Sequence, residues 1–220
     1  MSRSKLLKWV FGILAVGLLV LPGSASDYSY ARIVRLSYVE GAVQVLHPHQ
    51  DEWEDGGLNM PIQQGFVIAT QEGRAEVEFE DGTAAWLSSN TVLQFSELAL
   101  SDSGRITRLT LTQGTASFTT QAAKGDMFTV TTPRMDVALT PHTSVRLNVS
   151  GTSSVAVFRG KVSLNSLEGS REVQAGETAK FSNALGTLSV TPNPPEDEWD
   201  SWVDSRRSAL TAGAAEAKQY

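Results

Sequence analysis

From Ala31 to about Val190 apolar and polar residues alternate in short runs, the period-two pattern of strands with one buried face. Ala75-Glu76-Val77-Glu78-Phe79 and Arg108-Leu109-Thr110-Leu111-Thr112 show it most clearly, and Thr143 to Val149 and Ser153 to Val157 behave alike. Gly, Asn and Asp punctuate the runs, threonine and valine are abundant, and no stretch of this region carries a helical period.

One pattern recurs four times: a glycine with apolar residues five and three positions before it and two and four after it. The copies are Leu36, Tyr38, Gly41, Val43, Val45; Val77, Phe79, Gly82, Ala84, Trp86; Leu109, Leu111, Gly114, Ala116, Phe118; and Val155, Val157, Gly160, Val162, Leu164. Period two places the four apolar residues of a copy on one face of a ribbon, and the glycine supplies the positive φ of a turn or bulge. Asp81-Gly82 is the strongest turn signal among them. The copies are 41, 32 and 46 residues apart, too irregular for a solenoid of fixed period. Two shorter recurrences accompany them, Ile62 to Gly65 with Val173 to Gly176, and Thr91 to Phe95 with Thr143 to Leu147. The pattern predicts an all-β body of stacked hairpins, as a twisted sandwich or irregular β-solenoid. Val77, Phe79, Leu109, Leu111, Phe118, Val155, Val157 and Val162 should share its apolar interior.

The character changes near Pro192-Asn193-Pro194-Pro195, a stop and a linker. Glu196-Asp197-Glu198 then places three acids where a helix dipole is positive. Trp199, Trp202, Val203, Arg206 and Leu210 recur at helical spacing, so a short C-terminal amphipathic helix is expected from Glu196 to about Leu210, with the Ala-rich 212–217 as an open extension. Its tryptophans should dock on the β body.

The first 26 residues differ in kind. Arg3, Lys5 and Lys8 precede an unbroken apolar or glycine run from Trp9 to Leu21, followed by Pro22, Gly23 and the small residues Ser24, Ala25 and Ser26. That order is a secretory signal peptide, with cleavage after Ala25 or Ser26; the run is short for a membrane span, and an uncleaved anchor would give the same topology. Three segments are therefore expected: a signal peptide at 1–26, a β domain at 27–190, and a Pro-rich linker with the helix at 191–220. The periplasm, or secretion, is the expected location.

Without the leader, 15 basic and 24 acidic residues remain, a net charge of −9. No basic block could track a phosphate backbone, so nucleic acid is not an expected partner. There is no cysteine, which removes disulfides, zinc-thiolate sites and cysteine catalysis. His47 and His49 could face one way on a strand, but Pro48 interrupts it, and only Asp51 and Glu52 are near enough in sequence to add ligands; no metal site is expected. His47, His49 and His142 are the only histidines, and no Gly-x-Ser-x-Gly elbow accompanies them. Glu76 and Glu78 could form a carboxylate pair, but they follow the strand's polar alternation and are expected on a solvated face. No catalytic residue and no cofactor is expected, so the reading is not an enzyme. Trp86 falls at an inward position. Trp53, with Asp51 and Glu52 in an acidic loop, and Trp199 and Trp202 on the helix are the candidate partner contacts.

Several motifs resemble the FecR family. They are Gly41-x-Val43; Leu58-x-x-Pro61-Ile62-x-x-Gly65; Arg74-Ala75-Glu76; Leu109-x-x-x-x-Gly114; Phe128-x-Val130-x-Thr132-Pro133; Val155-x-Val157-x-x-Gly160-x-Val162; and Val173-x-x-Gly176-Glu177. Where the family usually has Gly-Thr, this chain has His142-Thr143. The tail Pro195-x-Asp197-x-Trp199-x-x-Trp202-x-x-x-Arg206 resembles a segment that follows the domain in exported relatives. Regulators of this type join a cytoplasmic sigma-factor-binding domain, one span and this domain. Eight residues before the apolar run leave no room for the first, so the resemblance implies the periplasmic half alone. It implies a sensing, interaction or scaffolding module whose partner is an envelope protein. The alternative is a module binding carbohydrate or peptidoglycan, with an envelope polysaccharide as partner.

Overall fold

The computed structural model describes residues 32–166, 169–182 and 187–217. The expected signal peptide lies outside the described residues. Fifteen strands and one helix are present among those described.

The fold starts from a long ribbon. β1 (Val34–Leu46) carries the short β2 (Trp53–Asp55) along its C-terminal end and pairs antiparallel with β3 (Val67–Phe79) over nearly its whole length. Gly41 lies opposite Gly73 midway along the ribbon. A Cβ on Gly41 would sit 2.3 Å from the Glu72 carbonyl oxygen, and one on Gly73 2.5 Å from that of Glu40. Only glycine permits this approach. Beyond it the two halves of β3 take different neighbours. The N-terminal half pairs with β5 (Val92–Ser101) and the C-terminal half with β4 (Ala84–Leu87), so the sheet divides here into two arms.

The first arm continues from β5 through β6 (Gly104–Gln113), then, beyond it, β8 (Met127–Thr131), β9 (Asp136–Leu139), β12 (Lys161–Ser166) and β13 (Gly169–Gln174). The second runs from β4 through β7 (Thr115–Thr119), β10 (Ser144–Asn148), β11 (Ser154–Arg159), β14 (Glu177–Ser182) and β15 (Thr187–Pro192). After β5–β6 the chain alternates between arms. It lays β7 in the second, the hairpin β8–β9 in the first, β10–β11 in the second, β12–β13 in the first and β14–β15 in the second. All neighbours are antiparallel except β6 and β8, which are parallel because β7 intervenes in the other arm.

The arms face each other across one apolar interior. Phe118 of β7 meets Phe128 of β8 with ring centroids 6.1 Å apart, and Phe79 meets Phe128 at 5.8 Å. All eight residues expected in a shared core are buried there. The last two copies of the glycine pattern place all four apolar residues inward. Their glycines are not hairpin turns, however. Gly114 and Gly160 stand at the crossings from β6 to β7 and from β11 to β12, with φ of 88° and 74°. Gly176, at the β13–β14 crossing, also has positive φ. His142, at the crossing into β10, takes φ 58°. An imidazole thus occupies a left-handed position, where a non-glycine residue is uncommon.

The first two copies depart from the expected phase. A register shift between Leu36 and Tyr38 sends Tyr38 to the outer face. In the second copy, only Gly82 makes a tight turn. The Phe79 N–H donates to the Thr83 carbonyl and the Phe79 carbonyl accepts from the Gly82 N–H, so Val77 pairs with Ala85 and Glu76 with Trp86. Ala85 and Leu87 therefore point inward, while Ala84 and Trp86 point to the outer face of the second arm. Trp86 is buried, but under the helix α1 (Glu198–Ala217) and not in the main core.

Candidate functional site

The outer face of the second arm carries a cross-strand row: Tyr38 opposite Glu76, Glu76 opposite Trp86, Trp86 opposite Ser117, Ser117 opposite Arg146. Helix α1 lies on this row. It starts at Glu198 because Asp197 caps it. The Asp197 carboxylate accepts from the Asp200 N–H at 3.0 Å, and the Asp200 carboxylate accepts in return from the Asp197 N–H at 3.2 Å, a reciprocal capping box. Arg146 donates to both, to Asp197 Oδ2 at 2.8 Å and Asp200 Oδ2 at 2.9 Å. Burial pushes the Asp200 carboxyl above its ordinary value despite that help. Asp197 is also penalised by burial, but the Asp200 N–H and Arg146 outweigh it and hold its carboxyl low.

Further along the helix, Trp199 donates its indole N–H to Ser117 Oγ at 3.0 Å and stacks on Trp202 at 5.0 Å. Trp202 meets Tyr38 edge-on, and Arg74 lies over its ring. Val203 closes on Ala84 and Trp86. Arg206 then reaches Glu76. Its Nε donates to Oε2 and its Nη2 to Oε1, both at 3.0 Å. Glu76 is fully buried and also accepts from the Trp86 indole at 2.8 Å and the Ser37 hydroxyl at 2.6 Å. The solvated face expected for this carboxylate is thus corrected: the helix covers it, and four donors replace water. Glu78, two residues on, stays partly exposed and accepts from Arg35 at 2.5 Å.

The other expected contact residues stand elsewhere. Asp51, Glu52 and Trp53 are exposed, Trp53 by 41%, at the end of the ribbon where Trp53 pairs with Leu46. They lie on the far side of the Gly41–Gly73 corner from Trp199 and Trp202, so the two groups form no joint site. His47 bonds to Glu54 and packs on Phe66. Among the described residues no cluster of three or more His, Cys, Asp or Glu side chains could hold a metal ion, and no helix is long and apolar enough to cross a membrane.

Past Arg206, Leu210 still packs against the Ala84–Trp86 cluster. Three clefts of about 420, 560 and 490 Å³ lie along the helix, and Arg207 lines all three. Nothing in the sequence pattern signals them. Arg159 and His142 belong to crossings, and Arg207 sits beside the docking face of the helix.

Residues 66–163 match the family model described as FecR protein. This stretch is similar to a FecR domain. The matched stretch runs from just before β3 into β12 and includes Glu76, Trp86, Ser117, Arg146, His142 and Arg159. Ser37, Tyr38 and the whole of α1, which complete the outer-face clasp, lie outside it. Two crystal structures of a proposed anti-sigma factor from Parabacteroides distasonis ATCC 8503 share part of this fold. Their TM-scores are 0.52 and 0.50, each at 23% identity, over 58% and 57% of this chain and 59% and 58% of theirs. The match thus spans about three fifths of those chains. No curated protein matches the sequence.

Proposed function

We propose that this chain is an exported FecR-domain module that senses or scaffolds in the bacterial envelope by binding a protein partner. The observation that carries the reading is the FecR match over residues 66–163, joined to a leader-like N-terminus. The exposed edge bearing Asp51, Glu52 and Trp53 is the proposed contact: a large aromatic ring with two flanking carboxylates, none of them occupied in holding the core. Trp199 and Trp202 serve the helix instead, and the chain acts by binding without turnover.

The test is capture from envelope extracts with a tagged, full-length protein after cell fractionation. The protein should be recovered outside the cytoplasm with a mature N-terminus near Asp27. Trp53→Ala should keep the melting temperature and lose the captured partner. Full-length protein in the cytosol, or a Trp53→Ala variant that captures as well as the parent, refutes the reading.

A further inference from the structure

The cleft beside the second half of the helix, of about 560 Å³, is unlike the rest of this acidic protein. Arg159, Arg207 and His142 line it together with Ser144, Thr119 and Gln121, and no carboxylate does. Its volume falls in the range of ordinary ligand sites.

The crossings of the chain build it. Ser144 is the direct cross-strand partner of Arg159. Gly160 follows Arg159 with positive φ, and a Cβ there would lie 2.7 Å from Thr143 Oγ1, so the two crossings interlock. Thr143 Oγ1 in turn donates to the Lys161 carbonyl at 3.1 Å. His142, immediately before Thr143, is held in the left-handed region and exposed at the rim. Strained positions of this kind persist only where the surroundings fix them, and they cluster at ligand sites. The helix supplies Arg207 from above.

The hydrogen-bonding inventory then selects a ligand. The Arg159 guanidinium has no partner among the described residues, and Arg207 uses one side on Asp204 at 2.6 Å. The exposed Ser208 and Thr211 hydroxyls spend their protons on the carbonyls of Asp204 and Arg207. They therefore offer lone pairs to the cleft. Two guanidinium forks beside a lining of hydroxyl acceptors complement a carboxylate flanked by hydroxyl groups. An acidic peptide would supply carboxylates, but its backbone brings only one donor per residue to meet those acceptors.

We propose that this cleft binds an acidic sugar, a uronate residue whose carboxylate sits between Arg159 and Arg207 and whose ring hydroxyls donate to the threonine and serine oxygens. The site is separate from the Trp53 edge, and its occupancy does not depend on a protein partner.

Calorimetric titration of the full chain tests it with four probes: free galacturonate, trigalacturonate, a neutral trisaccharide of galactose, and triglutamate. Galacturonate should bind, and trigalacturonate more tightly if the source is a polymer. Arg159→Gln and Arg207→Gln should each weaken binding about tenfold or more, as loss of a charge-assisted pair does. Arg108→Gln, whose side chain pairs with Glu97 elsewhere, should bind as the parent does. Melting curves establish that the variants fold; should Arg207→Gln unfold, Arg159→Gln decides alone. Equal binding of the neutral trisaccharide, binding of triglutamate as tight as trigalacturonate, unchanged affinity in Arg159→Gln, or no heat with any probe at millimolar concentration would overturn the proposal.

Discussion

Glu76 shows how one residue's role depends on what is laid over it. In the strand it is a polar position like Glu78, and the alternation treats the two alike. Only Glu76 lies in the row that the helix crosses, between Tyr38 and Trp86. Its burial is tolerable because Arg206 meets both oxygens while Trp86 and Ser37 take further lone pairs. Removing one partner of such a pair costs more than the pair contributes, because a charge is left buried. Arg206→Ala should therefore lower the unfolding free energy by about 3–5 kcal/mol. The exposed Arg207–Asp204 pair, one residue on, should contribute about 0–1 kcal/mol, so Arg207→Ala is the control. Urea melts of both variants measure the difference; equal costs would show that the guanidinium of Arg206 is not the anchor.

At the scale of elements, α1 is held by its first half. Capping, Trp199, Trp202, Val203 and Arg206 all act before Arg207, and after it only Leu210 among the described residues adds an apolar contact to the sheet. Deleting residues 196–220 should uncover Ala84, Trp86 and Glu76, and the shortened protein should aggregate at concentrations where the parent is monodisperse by light scattering. A monodisperse truncated protein with an unchanged melting temperature would mean that the helix does not seal the arm. The strands themselves were legible in the sequence because period two survives wherever a strand is regular, as at Leu109–Leu111 and Val155–Val157. The helix was legible from its acids and its spaced tryptophans. What escaped was face and partner. One bulge after Leu36 and one three-residue loop at Glu80–Gly82 reversed the inward side for Tyr38, Ala84 and Trp86. The cluster of Tyr38 and Trp86 on strands with charged neighbours was the available sign that the polar face was covered. The clefts had no such sign, since Arg159, His142 and Arg207 meet only through crossings between distant parts of the chain.

For the whole molecule, acid sensitivity should centre on the crossing between β7 and β8. Burial opposes ionisation of Asp126, but the Arg105 N–H at 2.8 Å, the Arg105 side chain and the Ala123 N–H prevail and hold its carboxyl below the usual 3.8. A carboxyl depressed on folding stabilises the protein above its unfolded value, and that contribution is lost as pH falls through the folded one. The parent should thus lose stability below about pH 4, and Asp126→Asn should start less stable at neutral pH and fall less steeply on acidification. Asp200, raised by burial, acts in the opposite sense and blunts the loss. Chemical melts across that range would show it; parallel curves for parent and variant would exclude Asp126. The alternation of hairpins between the two arms has a consequence for assembly. As the chain emerges from its N-terminus onward, each completed hairpin can pair with the arm that the preceding one left open. The growing molecule therefore shows one bare edge on each side, and every later hairpin shields the edge exposed two steps before. The body can thus assemble in the order in which it is made, with each new hairpin joining an arm already in place.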